Sequence, residues 1–152
     1  MNKIAILLGS KSDMPFVEAA EPYLAYFGLD FEVLVKSAHR NPQEVTEFAG
    51  SARKNGYKVL IAGAGMAAHL AGVVAAHTTL PVLGVPLPGG VMDGLDSLLS
   101  TVQMPAGVPV ATFAVGKAGM RNAVVFAAEL LSLQDETLAD RLADFKKQGS
   151  RL

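Results

Sequence analysis

Three short polar segments carry the residues best suited to chemistry: Gly9-Ser10-Lys11-Ser12-Asp13, Ser37-Ala38-His39-Arg40, and the glycine-rich Gly63-Ala64-Gly65 that leads to His69. Each follows a run of apolar, β-prone residues. In the first segment, backbone N–H groups, the Ser10 and Ser12 hydroxyls and the positive end of a following helix can converge on an anion, with phosphate the natural guest. In the second, arginine can fork onto a phosphate, and histidine, with a reference pKa of about 6.5, can exchange a proton near neutral pH. The third lets the backbone approach a compact ligand closely, because glycine has no side chain in the way. This inventory suits a phosphorylated small molecule undergoing proton transfer.

Each segment also has a plainer reading. Ser12 or Asp13 can serve only as a helix cap, His39 and Arg40 as an ordinary exposed pair, and the glycines as a tight turn. No acidic residue sits directly beside Arg40 to make it half of a routine salt bridge. Gly63 to Ala68 matches a GxGxxA dinucleotide fingerprint, but the acidic residue expected about 20 positions later is missing. Thr79 to Val85 contains no carboxylate, and the first one after it is Asp93. His69 and His77 lack ligand spacing and a clustered carboxylate, so no metal is expected. Gly116-Lys117 lacks the hydroxyl residue and glycine spacing of a phosphate-binding P-loop. Asp96-Ser97 and Gln103-Met104-Pro105 read as a capped helix and its end.

Positioning the three segments falls to the elements before them. Ile4 to Leu8 is a short continuous apolar run stopped by Gly9, as expected of a strand buried on both faces of a parallel sheet, and Phe31 to Val35 and Val59 to Ala62 are the second and third strands. Val82 to Val85 and Val110 to Val115 supply a fourth and a fifth. Between them, Phe16 to Phe27 has helical spacing and stops at Gly28, Asn41-Pro42 opens a helix that runs to Asn55-Gly56, and Ala67 to His77 is helical in pattern. Leu95 to Val102 and Ala118 to Leu133 follow the same logic, separated from the fourth strand by the turn-forming Pro86, Pro88, Gly89 and Gly90. The alternation predicts an α/β fold, a doubly wound parallel five-stranded sheet with right-handed crossovers. If the first three strands are neighbours, their carboxyl ends meet in one crevice, where such sheets bind ligands. A last helix bears Leu138, Leu142 and Phe145 on one side, a stripe that needs a cover, for which a neighbouring subunit is the expected surface.

The bulk numbers narrow the function. At 152 residues without an internal repeat or linker, the chain is expected to be a single domain over residues 1–152. Its 51% apolar and 18% charged content predicts that some apolar surface lies against another subunit. A net charge of −1 without a basic run offers no footprint for nucleic acid or an anionic membrane. No stretch reaches the ~20 apolar residues of a spanning helix. The absence of cysteine removes disulfides and thiolate chemistry and fits a reducing compartment, so the cytoplasm is the expected location. With 7% aromatic residues and no tryptophan there is little to flank an isoalloxazine ring, so a flavin is not expected.

Taken together, GSKSD at 9–13, SAHRNP at 37–42, AGAGMAAHLAG at 62–72, LPVLGVP at 80–86, DSLLSTVQMPAGVPVAT at 96–112 and GKAGMRNA at 116–123 closely resemble the PurE family of purine biosynthesis, and within it the bacterial class I branch. The resemblance runs through nearly the whole chain in order. It implies a three-layer flavodoxin-like sandwich assembled as a homo-octamer with active sites at subunit contacts. It also implies a mutase that moves a carboxylate from the exocyclic nitrogen of an aminoimidazole ribonucleotide to ring carbon C4, with no metal, ATP or biotin. Carried over by motif, His39 becomes the general acid and base, Ser10 and Arg40 hold the 5′-phosphate, and Asp13 holds the ribose hydroxyls. Ser12, Ser37, Ala64, Gly65 and His69 line the ring and carboxylate end. The family's usual AGAGGAAHLPG has glycine where this chain has Met66 and proline where it has Ala71, and Asn41 replaces a threonine. Two other functions stay open on sequence alone: direct carboxylation of aminoimidazole ribonucleotide by carbon dioxide, and a non-catalytic nucleotide-binding module on the same fold.

Overall fold

The computed structural model describes residues 2–152. At its centre is a parallel sheet of strands β1 (Lys3–Leu8), β2 (Asp30–Val35), β3 (Val59–Gly65), β4 (Val82–Leu87) and β5 (Ala111–Thr112), arranged β2-β1-β3-β4-β5. The helices are α1 (Met14–Glu18), α2 (Glu21–Phe27), α3 (Pro42–Ser51), α4 (Leu70–His77), α5 (Leu95–Val102), α6 (Lys117–Ser132) and α7 (Glu136–Lys147). The chain steps outward from β1 to β2, then crosses back over β1 to β3 and continues outward on the other side. That reversal puts helices on both faces and opens a crevice between the carboxyl ends of β1 and β3.

Strand periodicity divides the core in two. Ile4, Ile6 and Leu8 point to one face, where they meet Leu24, Met120, Val124 and Ala127, while Ala5 and Leu7 point to the other, among Val45, Ala49, Leu70 and Val74. The strand β3 repeats the pattern, with Val59 and Ile61 on the first face and Leu60 and Ala62 on the second. The result is a three-layer α/β sandwich in which β1, β3 and β4 are covered on both sides and read as unbroken apolar runs, while the edge strand β2 is largely exposed and carries Asp30 and Glu32. The helix α5 approaches β4 closely, since a methyl group added at Gly84 would lie 2.5 Å from Thr101 Cγ2 and 2.7 Å from Val110 Cγ1.

Four local features depart from the sequence expectations. The single helix expected over Phe16 to Phe27 is broken at Ala19-Ala20 into α1 and α2, because Pro22 has no N–H for the Glu18 carbonyl and its ring would clash with that carbonyl. The fifth strand shrinks from Val110–Val115 to Ala111–Thr112. Gly84 and Pro86 present their carbonyls to this edge, accepting from Phe113 and Gly116 at 3.0 and 2.9 Å. Having no N–H of its own, Pro86 cannot donate back, and the ladder stops. The helix expected from Ala67 begins only at Leu70, because left-handed Met66 leads into two tight turns in which Ala68 and His69 donate only two residues back, to Met66 and Ala67.

The fourth departure corrects the expectation for the C-terminal helix. Its stripe was predicted to lie on a neighbouring subunit, but Leu138, Leu142 and Phe145 are buried within their own chain. Phe145 meets Phe27, Tyr26 and Tyr23 with ring centroids 5.3, 5.7 and 5.9 Å apart. The aromatic residues of α2, sequence-distant and hidden from periodicity analysis, supply the missing surface. Among the described residues, no helix is long and apolar enough to cross a membrane.

Candidate active site

The three polar segments do meet. Gly9 N–H donates to the Gly63 carbonyl at 3.2 Å and Lys36 N–H to the Leu8 carbonyl at 2.9 Å, so the first loop leaves the sheet still tied to the third and the second still tied to the first. Beyond these bonds the chains diverge around a crevice of about 550 Å³. Ser10, Ser12, Asp13, Ser37, His39, Arg40, Ala64, Gly65 and His69 all line it. Its volume falls within the range typical of small-molecule sites.

In the first loop Asp13 stands at the N-cap of α1, one of the two positions expected, without a side-chain capping bond to that helix, and Ser10 caps the single turn Lys11–Asp13 that precedes it. Ser10 Oγ accepts from Ser12 N–H at 3.3 Å, and Asp13 Oδ2 accepts in return from Ser10 N–H at 3.1 Å, a reciprocal capping box around a single helical turn. The Ser10 and Ser12 hydroxyls lie 2.9 Å apart. Partial burial pushes the Asp13 carboxyl above the usual range, opposed by the Ser10 N–H it accepts. The structural and functional readings of this loop therefore coexist: the residues that close the turn also hold two hydroxyls and a carboxylate at the edge of the crevice.

Ser37 closes the second loop, its Oγ accepting from Arg40 N–H at 3.2 Å and its carbonyl from Asn41 N–H at 2.8 Å. This turn leaves the His39 and Arg40 side chains outside the sheet. Among the described residues no carboxylate forms an ion pair with Arg40, in contrast to nearby Lys36, whose Nζ lies 2.9 Å from Glu44. His39 Nε2 lies 2.6 Å from His69 Nδ1, the rings nearly perpendicular at 87°. One nitrogen of this pair donates and the other accepts, so a single proton bridges the second and third loops.

His69 reaches that position because it sits at the N-cap of α4, after a turn in which Ala68 N–H donates to the Met66 carbonyl at 2.9 Å and His69 N–H to Ala67 at 2.8 Å. His77, at the far end of α4, has Nδ1 2.9 Å from the Val73 carbonyl and takes no part. Pro88 and Gly89, just past β4, complete the wall, although their types announce only a turn. The signal for them was the strand order, which places the end of β4 beside that of β3. Gly89 N–H is held by Asp93 Oδ1 at 3.0 Å, in a segment where both Met92 and Asp93 are left-handed.

A family model described as AIR carboxylase matches residues 3–151. The chain belongs to the AIR carboxylase family. A relative from Vibrio parahaemolyticus, an N5-carboxyaminoimidazole ribonucleotide mutase, is 49% identical over 96% of this chain and 91% of its own. One from Saccharolobus solfataricus with the same name is 49% identical over 97% and 92%. Among solved structures, PurE from Treponema denticola superposes with a TM-score of 0.88 at 26% identity, covering 99% of this chain and 92% of that one. Family membership therefore spans all three loops, and the match at nearly full length on both sides leaves little room for a separate insertion to supply the site.

Proposed function

We propose that this chain is an N5-carboxyaminoimidazole ribonucleotide mutase, which transfers the carboxylate of its substrate from the exocyclic nitrogen to C4 in purine biosynthesis. The observation that carries the reading is the His39–His69 pair set beside the hydroxyl-rich loop and Arg40 in one crevice. The names of the relatives support it from outside. Ser10 and Arg40 hold the 5′-phosphate, the arginine free of any competing carboxylate among the described residues. Asp13 accepts from the ribose hydroxyls, and these donors stabilise a carboxylate that burial alone disfavours. Ser12, Ser37, Ala64, Gly65 and His69 line the ring and carboxylate end.

In this mechanism His39 gives its proton to the carbamate nitrogen, the carbon–nitrogen bond breaks, and carbon dioxide is released within the crevice. The electron-rich ring attacks it through C4, forming the carbon–carbon bond. His39 then removes the C4 proton, which restores aromaticity and returns the imidazole to its starting state. One group serves both proton transfers, and general acid–base catalysis of this kind contributes typically about 10²–10⁴-fold. Keeping the released gas next to C4 adds the advantage of proximity. No metal or organic cofactor has a step in this scheme. The chain works as a single domain, in the cytoplasm, and as a homo-octamer; exposed apolar residues on α5 and just before it, Val91, Met92, Leu95 and Leu99, are suited to subunit contact.

A second reading, direct carboxylation of aminoimidazole ribonucleotide, is favoured by the description of the family itself. Supplying the purified protein with each ribonucleotide in bicarbonate-depleted buffer separates the two. Turnover of the carbamate without added carbon dioxide is the expected result. Turnover only of aminoimidazole ribonucleotide, and only when carbon dioxide is added, reverses the assignment.

A further inference from the structure

Met66 is the one exposed long apolar side chain in the wall of a crevice whose other long apolar residue, Leu70, is buried, the rest being hydroxyls, a carboxylate, imidazoles, an arginine and small residues. It follows the last residue of β3, has a left-handed φ of 55°, and is 68% exposed. A side chain at such a φ clashes with its own backbone, which is why glycine is the usual occupant of the left-handed region. The turn itself does not require methionine: its bonds from Ala68 to Met66 and from His69 to Ala67 are backbone to backbone. Nor does the core require it, since the side chain is mostly in water. What the residue contributes is a flexible thioether, only three positions before the imidazole that bridges to His39. Methionine is unbranched, adapts to irregular gaps, and makes favourable sulfur contacts with aromatic rings.

We propose that Met66 is a specificity-determining residue that folds over the bound aminoimidazole ring and keeps released carbon dioxide from exchanging with the solvent. The assignment rests on the mutase reading above. Met66 takes no part in bond making: the carbon–nitrogen bond breaks and the carbon–carbon bond forms as already described, with the proton carried by His39. Its role is to cover the open side of the crevice while the gas is free. Burial of its exposed apolar surface against the ring provides the drive to close.

Two measurements test this. In the first, wild type, Met66→Gly and Met66→Leu turn over substrate labelled with carbon-13 in the carbamate, in unlabelled bicarbonate with carbonic anhydrase present, and product label is read by mass spectrometry. Wild type and Met66→Leu are expected to retain the label, and Met66→Gly to lose several-fold more per turnover, with a melting temperature equal to or above wild type because glycine suits the backbone. A loss of label with no loss of stability is not a folding effect. Equal retention in Met66→Gly overturns the proposal.

The second measurement needs no turnover. Sulfoxidation of Met66 by hydrogen peroxide is followed with and without aminoimidazole ribonucleotide, with free N-acetylmethionine added to report bulk reactivity. Ligand is expected to slow oxidation of Met66 several-fold and leave the added methionine unchanged, and an unprotected Met66 overturns the proposal. A wild type that forms no product from the carbamate while ligand still protects Met66 counts against the mutase reading and supports the closing side chain.

Discussion

The two ends of the sheet use polar residues in opposite ways. At the amino end they satisfy each other. Lys3 Nζ sits 4.3 Å above the Tyr57 ring and 3.6 Å from Glu32, and the Tyr57 hydroxyl donates to that same carboxylate. Arg53 donates to the Thr79 hydroxyl and carbonyl at 2.8 and 2.9 Å, and Asn2 to Asp135 at 2.7 Å. At the carboxyl end the hydroxyls, the two imidazoles and Arg40 surround open volume, and Met66, Met92 and Asp93 hold left-handed conformations that cost free energy. One end closes its hydrogen bonds within the fold, and the other keeps capacity for a ligand. Functional sites are expected to break local rules in this way, while the surrounding structure offsets the cost.

Substitutions at the two ends should therefore fail differently. The largest effect is expected for His39→Asn, with a rate lower by about 10²–10⁴-fold and ribonucleotide affinity, read by calorimetry, within a few-fold of wild type. If rate and affinity are both unchanged, the proton-transfer role is wrong. Next comes Phe145→Ala, far from the crevice, which should cost about 3–5 kcal/mol in denaturant unfolding and leave the activity of the folded fraction intact. A small loss there would mean that the aromatic cluster is less important than its burial indicates.

Arg40→Ala should weaken binding of the ribonucleotide by about 1.5–3 kcal/mol, the worth of a hydrogen bond to a charged group, and leave binding of the corresponding nucleoside almost unaltered. Equal losses for both ligands would move Arg40 away from the phosphate. The smallest change is expected for Asp13→Asn. Burial raises the Asp13 pKa, so the folded protein binds its proton more tightly than the unfolded chain does, and this contribution to stability falls as pH rises from below the usual carboxylate range through the raised value. Relative to wild type, the variant should gain in melting temperature on passing from about pH 4 to about pH 7. Parallel curves for the two proteins would remove the desolvation cost from the account.

Much of this could be read from the residues. Three β-prone runs, each ending in polar loop chemistry, point to the crevice, because parallel strands present their carboxyl ends on the same side of the sheet. The misses have two causes: contacts between sequence-distant groups, and local backbone geometry at Ser10, Pro22 and Met66. Nothing near Leu138 announces that Phe27 and Tyr26 will cover its helix. The early stop of β5 is set by a proline on the neighbouring strand, and Pro88 and Gly89 join the site only through the order of β3 and β4. Asp13 caps α1 as its type suggests, but the extra turn before it, capped by the extended Ser10, is not announced by the spacing. The family pattern marked Met66 as unusual, but only its φ shows that the chain keeps a costly residue there.

The wrapping of β1 has a consequence for biosynthesis. Its Ile4, Ile6 and Leu8 share a core with α6, on which α7 packs in turn, and both helices follow β5 in the chain. A ribosome stalled after β4 would thus display all the reacting side chains on an unsealed, greasy platform, open to proteases and to sticking. Competence and protection should switch on together, when the final helical pair emerges and docks.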